Sequence, residues 1–144
     1  MEDDLHQLGE DLITTSARIV RWVRTDGLTM SLASARILAR LFDSGPARIS
    51  DLAARERSSQ PTITNHVKRL EALALVERRP DPADARAWII ELTDRGHSQL
   101  AEMRTLLGAE VAPHLARLSA AERTALRQGI EVMQRLVGAA RLPQ

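Results

Sequence analysis

The sequence predicts a mainly α protein with one small β-hairpin. Three observations predict it. Apolar residues recur at spacings of three, four and seven along most of the chain, which is the helical period. Only VERRP at 76–80 and AWIIELT at 87–93 have strand-like composition. Breakers at Gly45 and Pro46, at SSQP (58–61) and at Asp81 and Pro82 cut the chain into short segments.

In the first segment, Leu5, Leu8, Leu12, Ile19 and Trp22 follow the period, so residues 4–24 read as a long amphipathic helix ended by Thr25, Asp26 and Gly27. A second helix follows Ser31, with Ile37, Leu38, Leu41 and Phe42 on its apolar face, and Gly45 and Pro46 stop it. Ser50 reads as the N-cap of a helix of barely two turns, DLAARER. Ser59 caps the next helix, and Pro61 falls in its first turn, where no backbone N–H is needed. That helix runs through TITNHVKRLEALAL with Ile63, Val67, Leu70 and Leu73 facing inward.

The hairpin comes next, with DPADAR (81–86) as its loop and Trp88 packing it onto the body. Thr93 caps a helix carrying Leu100, Met103, Leu107, Val111 and Leu115, which Pro113 should kink or divide. Ser119 and Glu122 form a capping box for the last helix, striped with Leu126, Ile130, Met133 and Val137. A short helix, a tight turn, a second helix and a hairpin together make a winged helix-turn-helix.

Composition narrows the function. The 144 residues hold one domain's worth of core or one domain with helical extensions, 44% apolar but only 2% aromatic. There is no cysteine, so thiol catalysis and thiolate metal sites are excluded. The start, MEDDLHQLGEDL, is not a signal peptide, and no apolar run is long enough to span a membrane. A cytoplasmic protein with no membrane partner is expected. Nucleophile-elbow, phosphate-loop, dinucleotide and zinc-protease signatures are missing, so no enzyme and no cofactor are expected. Glu110 and His114 have a metal-friendly spacing, but with no second nearby histidine they read as a surface pair, and no metal site is assigned. The net charge of +1 is uninformative, but its distribution is not: residues 57–70 carry Arg57, Lys68 and Arg69 without one carboxylate. Such a stretch can lie beside phosphates without repulsion.

Residues 58–96 carry a more specific signal. The stretch SSQPTITNHVKRL, the strand start Leu75 to Arg78, the triplet Asp84-Ala85-Arg86 and the segment Leu92-Thr93-Asp94-Arg95-Gly96 resemble the recognition helix, wing and fifth-helix entry of the MarR family of bacterial transcription regulators. Residues 32–55 fit as well, and the terminal helices match in pattern. The resemblance implies a homodimer with residues 1–30 as an N-terminal dimerisation helix, 31–93 as the DNA-binding domain and 94–144 as C-terminal dimerisation helices. Leu5, Leu8, Leu12, Leu126, Ile130 and Met133 are the dimer residues it points to. It also implies a repressor on a pseudo-palindromic operator, released by a small phenolic or aromatic effector in a pocket near Trp22. Core packing is the competing role for Trp22. The sequence departs from the family where an arginine is common mid-helix: Asn65 and His66 stand there.

On this reading Gln60, Thr62, Thr64, Asn65, Lys68 and Arg69 face the major groove of double-stranded DNA, where asparagine can pair bidentately with adenine. Ser59 and Arg57, at the helix N-terminus, suit a phosphate. Arg86 on a thin hairpin can enter the minor groove, ~6 Å wide, where a helix cannot. Asp84 is placed to hydrogen-bond either that guanidinium or the loop backbone. A solvated helix face and a plain Asp-Pro turn are the competing readings. A winged-helix module for protein partners and a metal-responsive sensor are the competing functions.

Overall fold

Helices that bury one stripe each need a partner surface, and the order of elements supplies it. The computed structural model of the chain describes residues 1–139. Its elements are α1 (Glu2–Trp22), α2 (Leu32–Ser44), β1 (Ala47–Arg48), α3 (Ile49–Arg55), α4 (Gln60–Ala72), β2 (Val76–Asp81), β3 (Asp84–Leu92), α5 (Asp94–Leu115) and α6 (Ala120–Ala139). The last residues of the expected dimerisation segment, 140–144, lie outside the described residues. The chain forms two compact units, one of residues 24–107 and one of residues 1–23 with those from 108 onward. Residues 94–107 of α5 belong to the first unit and the rest of that helix to the second.

The core lies in the 24–107 unit. Ile37 and Leu38 from α2, Leu52 from α3, Val67 and Leu70 from α4, and Ile90 from β3 are at most 1% exposed. Leu75 and Leu100 close the cluster. Ser31 caps α2 by accepting the Ser34 N–H at 3.1 Å, and Gly45 ends it at φ +78°, a left-handed conformation that favours glycine. The sheet is antiparallel with order β1-β3-β2. Fold class and helix order therefore follow the sequence-based expectation.

Several local expectations do not. The strand β1 is new: Ala47 and Arg48 pair with Ile90 and Ile89, making β3 the central strand. Two residues carry no periodicity, so no sequence pattern announces them. Arg48, not Ser50, is the N-cap of α3, and it makes no side-chain cap bond. Pro113 does not divide α5, which ends two residues later. Phe42 and Leu73 are exposed rather than inward. Phe42 instead lies under the Arg104 guanidinium at 4.8 Å and edge-on to His97 at 5.6 Å. Trp88 is 52% exposed and does not anchor the wing to the body.

The junction of α4, β2 and α5 explains the Leu-Thr-x-x-Gly segment. After α4 the chain turns at Ala74, whose φ is +57°, and the Leu75 N–H bonds back to the Leu70 carbonyl at 2.9 Å. This is the six-to-one closure of a helix C-terminus that usually employs glycine. Thr93 then ties α5 to the turn: its hydroxyl donates to the Ala74 carbonyl at 2.7 Å and its N–H to the Leu75 carbonyl at 3.2 Å. The same hydroxyl accepts the Gly96 N–H at 3.0 Å, capping α5 as expected. An alanine in the left-handed region bears a strain of about 1–2 kcal/mol. Ala74→Gly removes it but loosens the unfolded chain by about 0.4–1 kcal/mol. The strain term wins, so denaturant melts should show a net gain of about 0.5–1 kcal/mol. A loss would mean that Ala74 is not in this conformation.

Candidate DNA-binding surface

The helix-turn-helix is held by hydrogen bonds local to its turn and by one ion cluster behind it. After α3 the chain turns through Arg57 at φ +49°, with the Ser58 N–H bonded to the Ala53 carbonyl at 2.9 Å. Ser59 caps α4 by accepting the Thr62 N–H at 3.3 Å, and the two hydroxyls share a 2.8 Å bond. Only one of their two O–H protons is used in that bond. Glu56, whose side chain is nearly buried, receives Arg36 at 2.8 Å and Arg40 at 3.0 Å, so α2 clamps the turn. Sequence reading missed this cluster, because its partners lie 16 and 20 residues apart.

Burial splits α4 into two faces. Ile63, Val67 and Leu70 point into the core, while Gln60, Thr62, Asn65, Lys68 and Arg69 are exposed and Thr64 is half-buried. His66 is turned toward the body: its Nδ1 lies 3.1 Å from the Ser34 hydroxyl. Ser34 is the buried polar residue of the core and also bonds Ser31 at 3.1 Å. His66 therefore links the recognition-helix candidate to the start of α2, a role that its position in the sequence does not reveal.

The wing is more ordered, and differently arranged, than a six-residue loop. Strands β2 and β3 extend to Asp81 and Asp84, so the turn itself is only Pro82 and Ala83. The ladder is regular from Val76↔Leu92 to Pro80↔Trp88, and then jumps to Asp81↔Asp84. Ala85, Arg86 and Ala87 have no partner in that register and form a bulge on β3. Arg86 is therefore not at the hairpin tip but on the bulge beside it, exposed. Asp84 accepts the Arg86 N–H at 3.0 Å, fixing the backbone of the bulge rather than the guanidinium. Asp81 accepts the Ala83 N–H at 2.8 Å and Arg48 Nε at 2.6 Å, which pins the tip to β1.

The cations that surround α4 and the wing sort into two groups. Arg36, Arg40, Arg48, Arg78 and Arg79 are paired with Glu56, Asp81, Glu71 and Glu91. Arg57, Lys68, Arg69 and Arg86 have no acidic partner among the described residues. These four lie on the turn before α4, along α4 and on the wing bulge, and Arg55 at the end of α3 and Arg95 at the start of α5 are likewise exposed without an acidic partner among the described residues. An exposed surface that leaves its cations without counter-charges is suited to an external polyanion.

The MarR family model matches residues 30–88, which span α2 through most of β3. The chain is 29% identical to the HTH-type transcriptional regulator Mb0904 of Mycobacterium bovis over 95% of this chain and 97% of that one. Over residues 30–88, from α2 into β3, the chain is thus similar to the MarR family. The family model and this relative support DNA-binding regulation of transcription, the work of a regulator rather than an enzyme. Solved structures agree on the fold. A mutant MarR from E. coli superimposes with a TM-score of 0.73 at 21% identity, covering 88% of this chain and 96% of that one. Bordetella bronchiseptica BpsR, whose DNA binding is regulated by 6-hydroxynicotinic acid, gives 0.55 at 26% identity, covering 89% and 98%.

Outside the winged unit, α1 and α6 have no buried residue. Leu5 and Leu8 are each 62% exposed, Leu126, Ile130 and Met133 are also exposed, and Leu12 is half-buried. Trp22 is 49% exposed, so it does not pack a core in this chain, and its ring meets that of His114 edge-on at 4.4 Å. The capping box of α6 is formed in both directions: Ser119 Oγ accepts the Glu122 N–H at 3.2 Å, and Glu122 accepts the Ser119 N–H at 2.7 Å. These bonds hold the Glu122 carboxyl below its usual range. Among the described residues no cluster of three metal-ligating side chains occurs, and no helix is long and apolar enough to cross a membrane.

The wing latch has a pH dependence. The Ala83 N–H first, and then Arg48, hold the Asp81 carboxyl below its ordinary value. A carboxylate with a lowered folded pKa contributes fully above the unfolded value and loses that contribution as pH falls through the folded one. Acidification below the usual aspartate range should therefore loosen the tip, read as faster exchange of the Ala83 amide. Asp81→Asn should flatten this acid response. An Ala83 amide that stays equally protected in both proteins well below that range would count against the latch.

Proposed function

We propose that this regulator acts as a homodimeric repressor in the cytoplasm on a pseudo-palindromic operator, with α4 of each copy in a major groove and each wing in the flanking minor groove. The observation that carries it is the set of unpaired cations, Arg57, Lys68, Arg69 and Arg86, on the turn, α4 and wing. In this reading Gln60, Thr62, Thr64 and Asn65 meet base edges alongside Lys68 and Arg69. Ser59 and Arg57 hold phosphates at the helix N-terminus, and Arg86, on the backbone fixed by Asp84, lies in the minor groove.

Dimerisation follows from α1 and α6, whose apolar stripes are open in the single chain. An open cleft of about 430 Å³ along α6, walled by Leu115, Leu126 and Ile130, belongs to the surface that a second copy would fill. In this proposal the dimer layer is drawn from within segments 1–30 and 94–144, and the reading head is 31–93 together with the start of α5, whose Leu100 belongs to the winged core. Two recognition helices must lie about one DNA turn, ~34 Å, apart to enter successive grooves on one face. A dimer seated across a promoter excludes polymerase by occupancy alone, which needs no activating contact.

Release is assigned to a small aromatic or phenolic molecule held near Trp22. Support comes from BpsR, regulated by an aromatic hydroxy acid. Such an effector shifts the equilibrium only by its different affinity for the two states.

The test is binding to genomic fragments at several salt concentrations. A selected fragment with two half-sites, bound by a dimer with a steep loss of affinity as salt rises, is the expected result. A protein that binds no DNA at low salt, or binds it without a salt slope, would leave the wing as a docking surface for protein.

A further inference from the structure

Trp88 is the large apolar side chain of the outer wing, and about half of it is open to solvent. Along β3 the chain passes from Ile90, fully buried, to Trp88, about half exposed, and then to the bulge that carries Arg86. Trp88 pairs with Pro80 on the last regular rung before that bulge. Pro80 has no N–H to continue the ladder, so the rung ends in a rigid apolar base. Beyond it the uncharged residues are Pro82 and three alanines, Ala83, Ala85 and Ala87, so the indole stands above its neighbours.

A single exposed apolar residue is ordinary. The position of this one is not. Strand rise of ~3.4 Å per residue puts Trp88 at most about 7 Å behind Arg86, close to the ~7.5 Å depth of a minor groove. A wing that sets Arg86 at the groove floor therefore sets Trp88 at its lip, where deoxyribose C–H groups and phosphate oxygens alternate. Indole suits that border, with an apolar ring for the sugar and one N–H for the phosphate. The local charges agree: Asp81 is neutralised by Arg48, Asp84 is bonded to the Arg86 N–H, and Arg86 has no acidic partner among the described residues.

We propose that Trp88 is a DNA-contacting residue that packs on the sugar-phosphate rail of the minor groove beside Arg86. The proposal rests on the DNA-binding reading above and adds to it an apolar contact that carries no charge.

Fluorotryptophan incorporated at both tryptophans gives two fluorine resonances, and Trp88→Phe assigns them. On addition of an A/T-rich duplex at low salt, the Trp88 resonance should shift and lose its solvent isotope effect. Trp88→Ala should weaken binding roughly tenfold, with an unchanged salt slope because no charge is removed, and Trp88→Phe should keep most of the affinity. Arg86→Ala, by contrast, should lower the slope. A duplex that binds while the Trp88 resonance stays fixed and Trp88→Ala binds as tightly as the parent overturns this proposal and leaves DNA binding standing. A parent protein that binds no duplex at low salt removes both. The resonance is read in the unsubstituted protein, so the test survives even if Trp88→Ala folds poorly.

Discussion

Gly96→Ala is expected to lose about 3 kcal/mol or more of folding stability, a large fraction of what a small domain has. A β-carbon at Gly96 would lie 2.1 Å from the Leu75 carbonyl oxygen and 3.0 Å from Leu92 Cδ2. The first neighbour is backbone, so no rotamer change can relieve the overlap. The start of α5 must move away by an ångström or more, and that motion breaks the bonds from Thr93 to the Ala74 and Leu75 carbonyls. The buried Leu75 carbonyl then loses its partner, at about 1–3 kcal/mol, while the exposed Ala74 carbonyl can turn to water at smaller cost. Because the damage falls on the junction of α4, β2 and α5, DNA binding should fail with stability. Gly129→Ala, where nothing lies within 4 Å of the added carbon, is the control and should be stable. A Gly96→Ala protein that melts with the parent would show that α5 does not approach the turn this closely.

The second large effect is on recognition, and two substitutions should fail in different ways. Asn65 is exposed on α4 and has no hydrogen-bond partner among the described residues, so Asn65→Ala leaves the fold intact. On the operator it should cost about 1–3 kcal/mol and flatten the preference at one base pair per half-site. Arg86→Ala should weaken binding on every sequence, lower the salt slope by about one per wing, and matter most beside A/T runs that narrow the groove. Asp84→Ala should mimic Arg86→Ala more mildly, because it frees the backbone of the bulge while the guanidinium remains. The double substitution should be no worse than Arg86→Ala alone, since Asp84 acts only through its neighbour. Isotherms at several salt concentrations on operators with A/T or G/C flanks separate these outcomes. Unchanged affinity for Arg86→Ala on every operator would reduce the wing to a solvated bulge.

These two predictions differ in how far the sequence reaches them. The recognition-helix candidates follow from SSQP and the acid-free stretch behind it, because a cap, a proline and a helical period are properties of neighbours four residues apart or fewer. Their exposure in the structure is what the buried stripe of Ile63, Val67 and Leu70 requires. The glycine at 96 was visible only as part of a motif, since the carbonyl it accommodates belongs to Leu75, far back in the chain.

The sequence by itself determined the order and type of the helices, their caps at Ser31, Ser59, Thr93 and Ser119, and the presence of one hairpin, because all of these are local. Tertiary structure alone decided the short strand β1, the clamp of Arg36 and Arg40 on Glu56, the bond from His66 to Ser34, and the latch of Arg48 on Asp81. It also decided which arginines are already satisfied and which are left facing outward. The bulge that moves Arg86 off the hairpin tip, and the outward placement of Phe42, Leu73 and Trp88, belong to the same class. The physical reason is one of range. A hydrogen bond or ion pair between residues 16 to 33 positions apart depends on where the chain returns, and only packing of the core fixes that.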